Sequence, residues 1–117
     1  MKSENRLKKR KQFNWIFKNG KTVHSKNLVL VYSSSKIKGF KVGFSVTKKI
    51  GKAVVRNKNR RRMKEAVRSF ENNIQSKNVL IFVAKPDIVN QTYQQIVSEV
   101  LFLLKKANLY KENEENF

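Results

Sequence analysis

Apolar residues recur along this chain in two rhythms, and the changes between them mark its elements. In KQFNWIFKNG (11–20), Phe13, Ile16 and Phe17 lie at helical spacing, and Gly20 stands where a left-handed residue would end a short helix. LVLVY (28–32) is a continuous β-branched and aromatic run, while Phe40, Val42, Phe44 and Val46 alternate with Lys41, Gly43 and Ser45. These predict two strands joined by the SSSKIKG loop, with a further brief strand possible around Thr22 and Val23. From about Ala53 to Asn72 the period returns to that of a helix, placing Met63, Ala66, Val67, Phe70 and Ile74 on one face. VLIFVA (79–84) is apolar throughout, the pattern of a strand covered on both sides, and Lys85-Pro86-Asp87 breaks it. Thr92 can cap a third helix whose buried stripe is Tyr93, Ile96, Val97, Val100, Leu104 and Ala107.

The order α-β-β-(β)-α-β-α predicts an α/β (α+β) sandwich, with three helices packed on a small, mostly antiparallel sheet. Neither a repeat nor a linker interrupts it, so residues 1–117 read as a single domain. MKSENRLKKR (1–10) has too few apolar groups to fold alone and reads as a mobile basic arm, and residues 111–117 read as a loose tail.

Charge changes the picture from fold to partner. The 27 basic and eight acidic residues give a formal charge of +19, whereas solubility needs a net charge of only about 2 to 8. Residues 1–70 hold 22 of those cations and two acids, so the basic face belongs to the first half. Such a field favours a polyanion, because phosphates bound by Lys and Arg release condensed counterions. Nucleic acid fits better than an anionic membrane surface, which calls for cations opposite a bulky apolar helix face. No apolar run approaches the ~20 residues of a membrane span, and the basic N-terminus lacks a signal peptide's apolar core, so a soluble, cytoplasmic protein is expected.

Residue counts also exclude chemistries. Without cysteine there is no disulfide, thiolate zinc site or cysteine nucleophile. His24 is the single histidine, which rules out a paired-histidine nuclease. Four of the eight carboxylates lie in the terminal segments, and Glu65, Glu71, Glu99 and Asp87 read as helix-surface and turn residues, a poor supply for a two-metal phosphodiesterase. Neither a catalytic residue nor a metal or cofactor site of the protein's own is expected.

The candidate site is therefore a binding surface. Residues 48–68, KKIGKAVVRNKNRRRMKEAVR, carry ten cations against one acid. Asn57, Arg61, Lys64 and Arg68 form a polar stripe beside the apolar one. Arg56 and Asn59 project toward the core side, where charge is costly, which predicts that the helix start overhangs the core. Its free N–H groups, beside Lys48, Lys49 and Lys52, would then form a phosphate site.

The run KKIGKAVVRNKNRRRMKE (48–65), preceded by VGFSVT (42–47) and accompanied by RLKKRKQFNWIFKNG (6–20) and IFVAKP (81–86), resembles the protein subunit of bacterial ribonuclease P. That resemblance implies a subunit that binds a catalytic RNA and the 5′ leader of precursor tRNA, with Mg²⁺ held mainly by the RNA and no obligate protein partner. It also implies a left-handed β-α-β crossover through the basic helix. RNA contacts would fall on Arg56, Asn57, Lys58, Arg60, Arg61, Lys64 and Arg68, with Phe13 and Phe17 toward a leader-binding cleft. Lys58 keeps charge where the family has Arg but loses bidentate geometry. Val31 stands on the cleft strand where relatives can present an aromatic. Read without the resemblance, Phe13 and Phe17 fit equally well as core under the first helix, and the whole chain fits a ribosomal or other structural RNA-binding protein.

Overall fold

A computed structural model describes residues 5–112, and the structural statements below refer to these. The elements are α1 (Arg10–Asn19), β1 (Lys21–His24), β2 (Leu28–Ser34), β3 (Phe40–Ser45), α2 (Ala53–Arg68), β4 (Asn78–Ala84) and α3 (Tyr93–Lys106). Single 3-10 turns occupy Lys48–Ile50, Glu71–Asn73 and Pro86–Asn90. The brief strand forms, giving α-β-β-β-α-β-α. α2 ends at Arg68, short of the expected Asn72, where the Ser69 hydroxyl donates to the Ala66 carbonyl at 2.6 Å and Phe70 N–H to Val67. Ile74 is buried, but in an isolated bridge with Tyr110 beyond the helix.

The sheet runs β1-β2-β4-β3. β2 pairs antiparallel with both β1 and β4, and β3 pairs parallel with β4. β2 and β3 follow each other in sequence yet do not touch as partners, because β4 inserts between them. The composition of β4 explains its central place. Leu80 and Phe82 face one layer and Val79 and Ile81 the other, so a strand without a polar face occupies the position without a solvent face. β3-α2-β4 is thus a parallel pair joined by a helical crossover.

Two apolar layers result. α2 and α3 cover one face, where Leu28, Leu30, Val42, Met63, Leu80, Phe82, Ile96, Val100 and Leu104 are buried together. α1 covers the other, where Ile16 packs with Leu7, Val31, Val79 and Ile81. Each fully buried large side chain contributes about 1.5–3 kcal/mol. The α3 stripe appears with two changes: Tyr93 is exposed, and Leu103 joins the buried set. The Thr92 hydroxyl accepts from Gln95 N–H at 3.2 Å while the Gln95 side chain accepts from Thr92 N–H at 2.7 Å, a reciprocal cap.

Three local expectations are corrected. Gly20 is extended (φ −78°, ψ 165°), not left-handed; a Cβ there would come within 2.7 Å of the Ile16 carbonyl oxygen and 2.8 Å of that of Tyr32, so close backbone approach explains the glycine. The basic arm is docked from Arg6 onward, since Leu7 is buried and its N–H donates to the Val42 carbonyl at 2.9 Å along the edge of β3. The start of the tail is also held, by Lys111 N–H donating to the Asn73 carbonyl at 2.7 Å. Residues 1–4 and 113–117, the outer parts of both expected mobile segments, lie outside the described residues.

Candidate nucleic-acid interface

α2 divides its side chains between two tasks. Met63, Ala66 and Val67 are buried, and Asn59 joins them with 2% of its surface exposed. The helix therefore does not overhang the core at Asn59. Its amide instead donates to the Val55 carbonyl at 2.9 Å, and its carbonyl accepts from Arg62 at 3.3 Å, which satisfies the buried polar group. The overhang is confined to the first turn, where Ala53 is exposed and Val54 is 80% exposed. No side chain caps that turn. Arg56 is half-buried, and its Nε is enclosed without a partner.

Arg60 and Lys64, one turn apart, face the edge of β3. The Arg60 guanidinium donates to the Asn57 side-chain carbonyl at 2.8 Å, which holds it in place. Arg61 and Arg68 are exposed on the crest, Arg68 pairing loosely with Glu65 at 3.6 Å. Lys58 is exposed but lies two residues from Arg60, on the opposite side of the helix. Arg62, left out of the expected contacts, is tied to the Gln91 carbonyl and braces the approach to α3.

Lys48, Lys49 and Lys52 are exposed in the turn from β3 to α2, which Ile50 anchors in the core. Gly51 takes φ 148° there, a conformation side chains resist, and so lets the chain reverse directly into the helix.

Across from Arg60, α1 presents Phe13. Its ring lies on β3 directly over Gly43, where a Cβ would come within 2.4 Å of the ring tip, so the missing side chain makes the seat. Phe17 is 44% exposed, with its centroid 6.4 Å from that of Phe13. Phe13 therefore belongs in part to the core, packed against the Leu7 and Ile16 layer, and in part to a surface it shares with Phe17.

A groove of about 390 Å³ opens between these parts, lined by Lys8, Arg10, Phe13, Phe44, Ser45 and Arg60. A smaller hollow of about 130 Å³ adjoins it at Phe44, bounded by Arg6, Lys64 and Glu65. Phe44 is half-buried, its ring stacked 6.2 Å from Phe82. Partial burial, and then the charges of Arg6 and Arg60, hold the Lys64 ammonium below its ordinary value. A phosphate arriving there would relieve this repulsion.

The structure thus brings Phe13 and Arg60 to one groove, with Phe17 beside Phe13 and Lys64 in the adjoining hollow. Val31 it does not: this residue is 5% exposed beneath α1, beside Gly20, and offers no surface to a ligand. Sequence reasoning missed Phe44, Arg6, Lys8 and Arg10. The alternation of β3 signals Phe44 only as core, and nothing local reveals that β3 is an edge strand along which the basic arm runs. Among the described residues, no three His, Cys, Asp or Glu side chains converge to hold a metal ion, and no helix is long and apolar enough to cross a membrane.

Comparison with known proteins matches residues 1–108 to the ribonuclease P family model. The chain is 34% identical over 109 residues to the ribonuclease P protein component of Alkaliphilus metalliredigens, covering 93% of this chain and 98% of that protein. With that of Caldanaerobacter subterraneus subsp. tengcongensis it shares 36% over 109 residues, covering 93% and 94%. The Staphylococcus aureus RNase P protein superposes with a TM-score of 0.84 at 31% identity, over 92% of this chain and 98% of that one. The Thermotoga maritima RNase P protein gives 0.79 at 26% identity, over 86% and 96%.

Proposed function

Because the chain belongs to the ribonuclease P protein family, and so is the partner of an RNA subunit in the endoribonuclease that matures tRNA 5′ ends, we propose that it recognises the 5′ leader of precursor tRNA in the groove between α1 and α2. One observation carries this reading: a groove at the edge of β3 is lined by the aromatic residues Phe13 and Phe44 together with the cations Lys8 and Arg10 on one side and Arg60 on the other. Rings stack on bases of any sequence at about 1–3 kcal/mol each, and cations follow the phosphates, so the groove suits an enzyme that meets many leaders.

On this reading Phe13 and Phe17 accept leader bases, while Phe44 borders the groove from the other face of β3 at its edge. Lys8, Arg10, Arg60 and Lys64 neutralise the leader backbone. The exposed stripe of Asn57, Arg61 and Arg68, with Arg56 beside it and Lys48, Lys49 and Lys52 at the uncapped start of α2, engages structured RNA through phosphates. Lys58 contributes charge from the other flank. The cleavage step falls to Mg²⁺ held mainly by the RNA subunit, and this chain acts by holding the leader and offsetting its charge, working in the cytoplasm. Reconstitution tests the proposal: adding this chain to its RNA subunit should raise affinity for precursor tRNA more than for mature tRNA, while rigorously RNA-free protein should leave precursor uncut. Equal gains for both tRNAs, or correct 5′ cleavage without RNA, would overturn it.

A further inference from the structure

α1 separates two concavities. The groove uses Arg10, Phe13 and Asn14, whereas a second hollow of about 230 Å³ uses Gln12, Trp15 and Ile16 on the other side, closed by Leu7, Ser34 and Val79. Trp15 lies two residues from both Phe13 and Phe17, so it points away from their surface. It is 55% exposed, beside an apolar wall formed by Leu7 and Val79.

The polar groups around this ring indicate what it meets. Lys11 and Lys18 stand one turn before and one turn after Trp15 on the same helix face, and both are exposed. Lys36 and Lys38 are exposed in the loop that follows Ser35, where Ile37 packs against the Leu7 and Val79 layer. α1 carries no acid, and none lines the hollow. A flat ring on an apolar wall, rimmed by lysines, with Gln12, Ser34 and Ser35 lining the hollow, matches an unpaired nucleotide: base on ring, base edge on amide or hydroxyl, phosphates on lysines. The body of α1 stands between this hollow and the Phe13 and Phe17 surface, so a base seated on Trp15 is not the stacking neighbour of one seated on those rings.

We propose that Trp15 is a stacking platform for an unpaired nucleotide of the RNA subunit, making α1 a helix with RNA on both flanks. The assignment of the far flank rests on the leader reading above. Trp15 is the single tryptophan of the chain, so its fluorescence reports the site directly. Saturating RNA subunit should quench that emission and shield it from acrylamide, and a single-stranded leader oligonucleotide alone should do neither. Trp15→Ala should weaken binding to the RNA subunit by roughly five- to 150-fold, and Trp15→Phe should recover most of the loss. Unchanged emission and acrylamide access at saturation, equal quenching by the leader oligonucleotide, or undiminished binding by a folded Trp15→Ala protein would each overturn the proposal. Failure of the leader reading would show elsewhere, as a lost preference for precursor over mature tRNA in the wild-type holoenzyme.

Discussion

Replacing Gly43 with alanine places one methyl group under the Phe13 ring, and the structure sets the size of the consequence. The new Cβ would lie 2.4 Å from the ring tip and 2.7 Å from the adjoining ring carbon. Ordinary carbon contacts begin near 3.5 Å, so the ring must retreat by about 1 Å. If Leu7 and the sheet hold it, overpacking costs about 1–3 kcal/mol; if it swings into the groove, stability suffers less but the proposed leader platform is blocked. Phe13→Ala removes the obstacle, leaving Leu7 at 3.2 Å as the nearest neighbour, and alanine is otherwise the better strand residue. Urea unfolding of the wild type, both single variants and the double variant should therefore give a coupling of about 1 kcal/mol or more between the two positions. Precursor affinity of the Gly43→Ala holoenzyme should fall toward that for mature tRNA. Additive unfolding energies within about 0.5 kcal/mol, together with undiminished precursor affinity, would refute the seating of Phe13 on Gly43.

Salt should weaken RNA binding steeply, by roughly 10³ between 50 and 200 mM if about six phosphates are neutralised, and Arg60→Ala with Arg61→Ala should flatten that slope. An unchanged slope in the folded double variant would place the phosphates elsewhere. Glu99→Ala should destabilise the fold by about 3 kcal/mol or more without altering the salt slope, as checked by urea unfolding. Its carboxylate accepts from the Ser25 hydroxyl at 2.5 Å and from the Asn27 backbone and side chain at 2.7 and 2.8 Å, closing the turn between β1 and β2.

Period and composition reached a good part of this molecule. The seven elements, the cap at Thr92, the double-sided burial of β4 and the basic character of α2 all follow from local spacing, because burial repeats with the geometry of the element. Pairing does not. Nothing in the alternation of β3 says that its neighbour is β4 and its other edge open, and that one fact decides that the arm docks at Val42 and that Phe44 looks into a groove. The same limit governs the polar residues of α2. Asn59 projects to the core side, but its amide is satisfied there without an overhang, and Arg62 lies within the cationic run yet serves packing, since a side chain can turn to its own helix or to the Gln91 carbonyl, partners that helical projection does not reveal. Val31 fails as a site residue for a related reason: alternation puts it on the right face, but α1 crosses that face and covers it.

Whether an aromatic groove of this chain reads the presence of a leader is decided by the ratio of precursor to mature tRNA affinity in the reconstituted holoenzyme, measured for wild type and Phe13→Ala at one salt concentration. Phe13→Ala should lower precursor affinity by roughly tenfold or more while mature tRNA binding and association with the RNA subunit barely change. Equal losses for both tRNAs would contradict it, leaving Phe13 as part of the core and the leader to the basic helix alone.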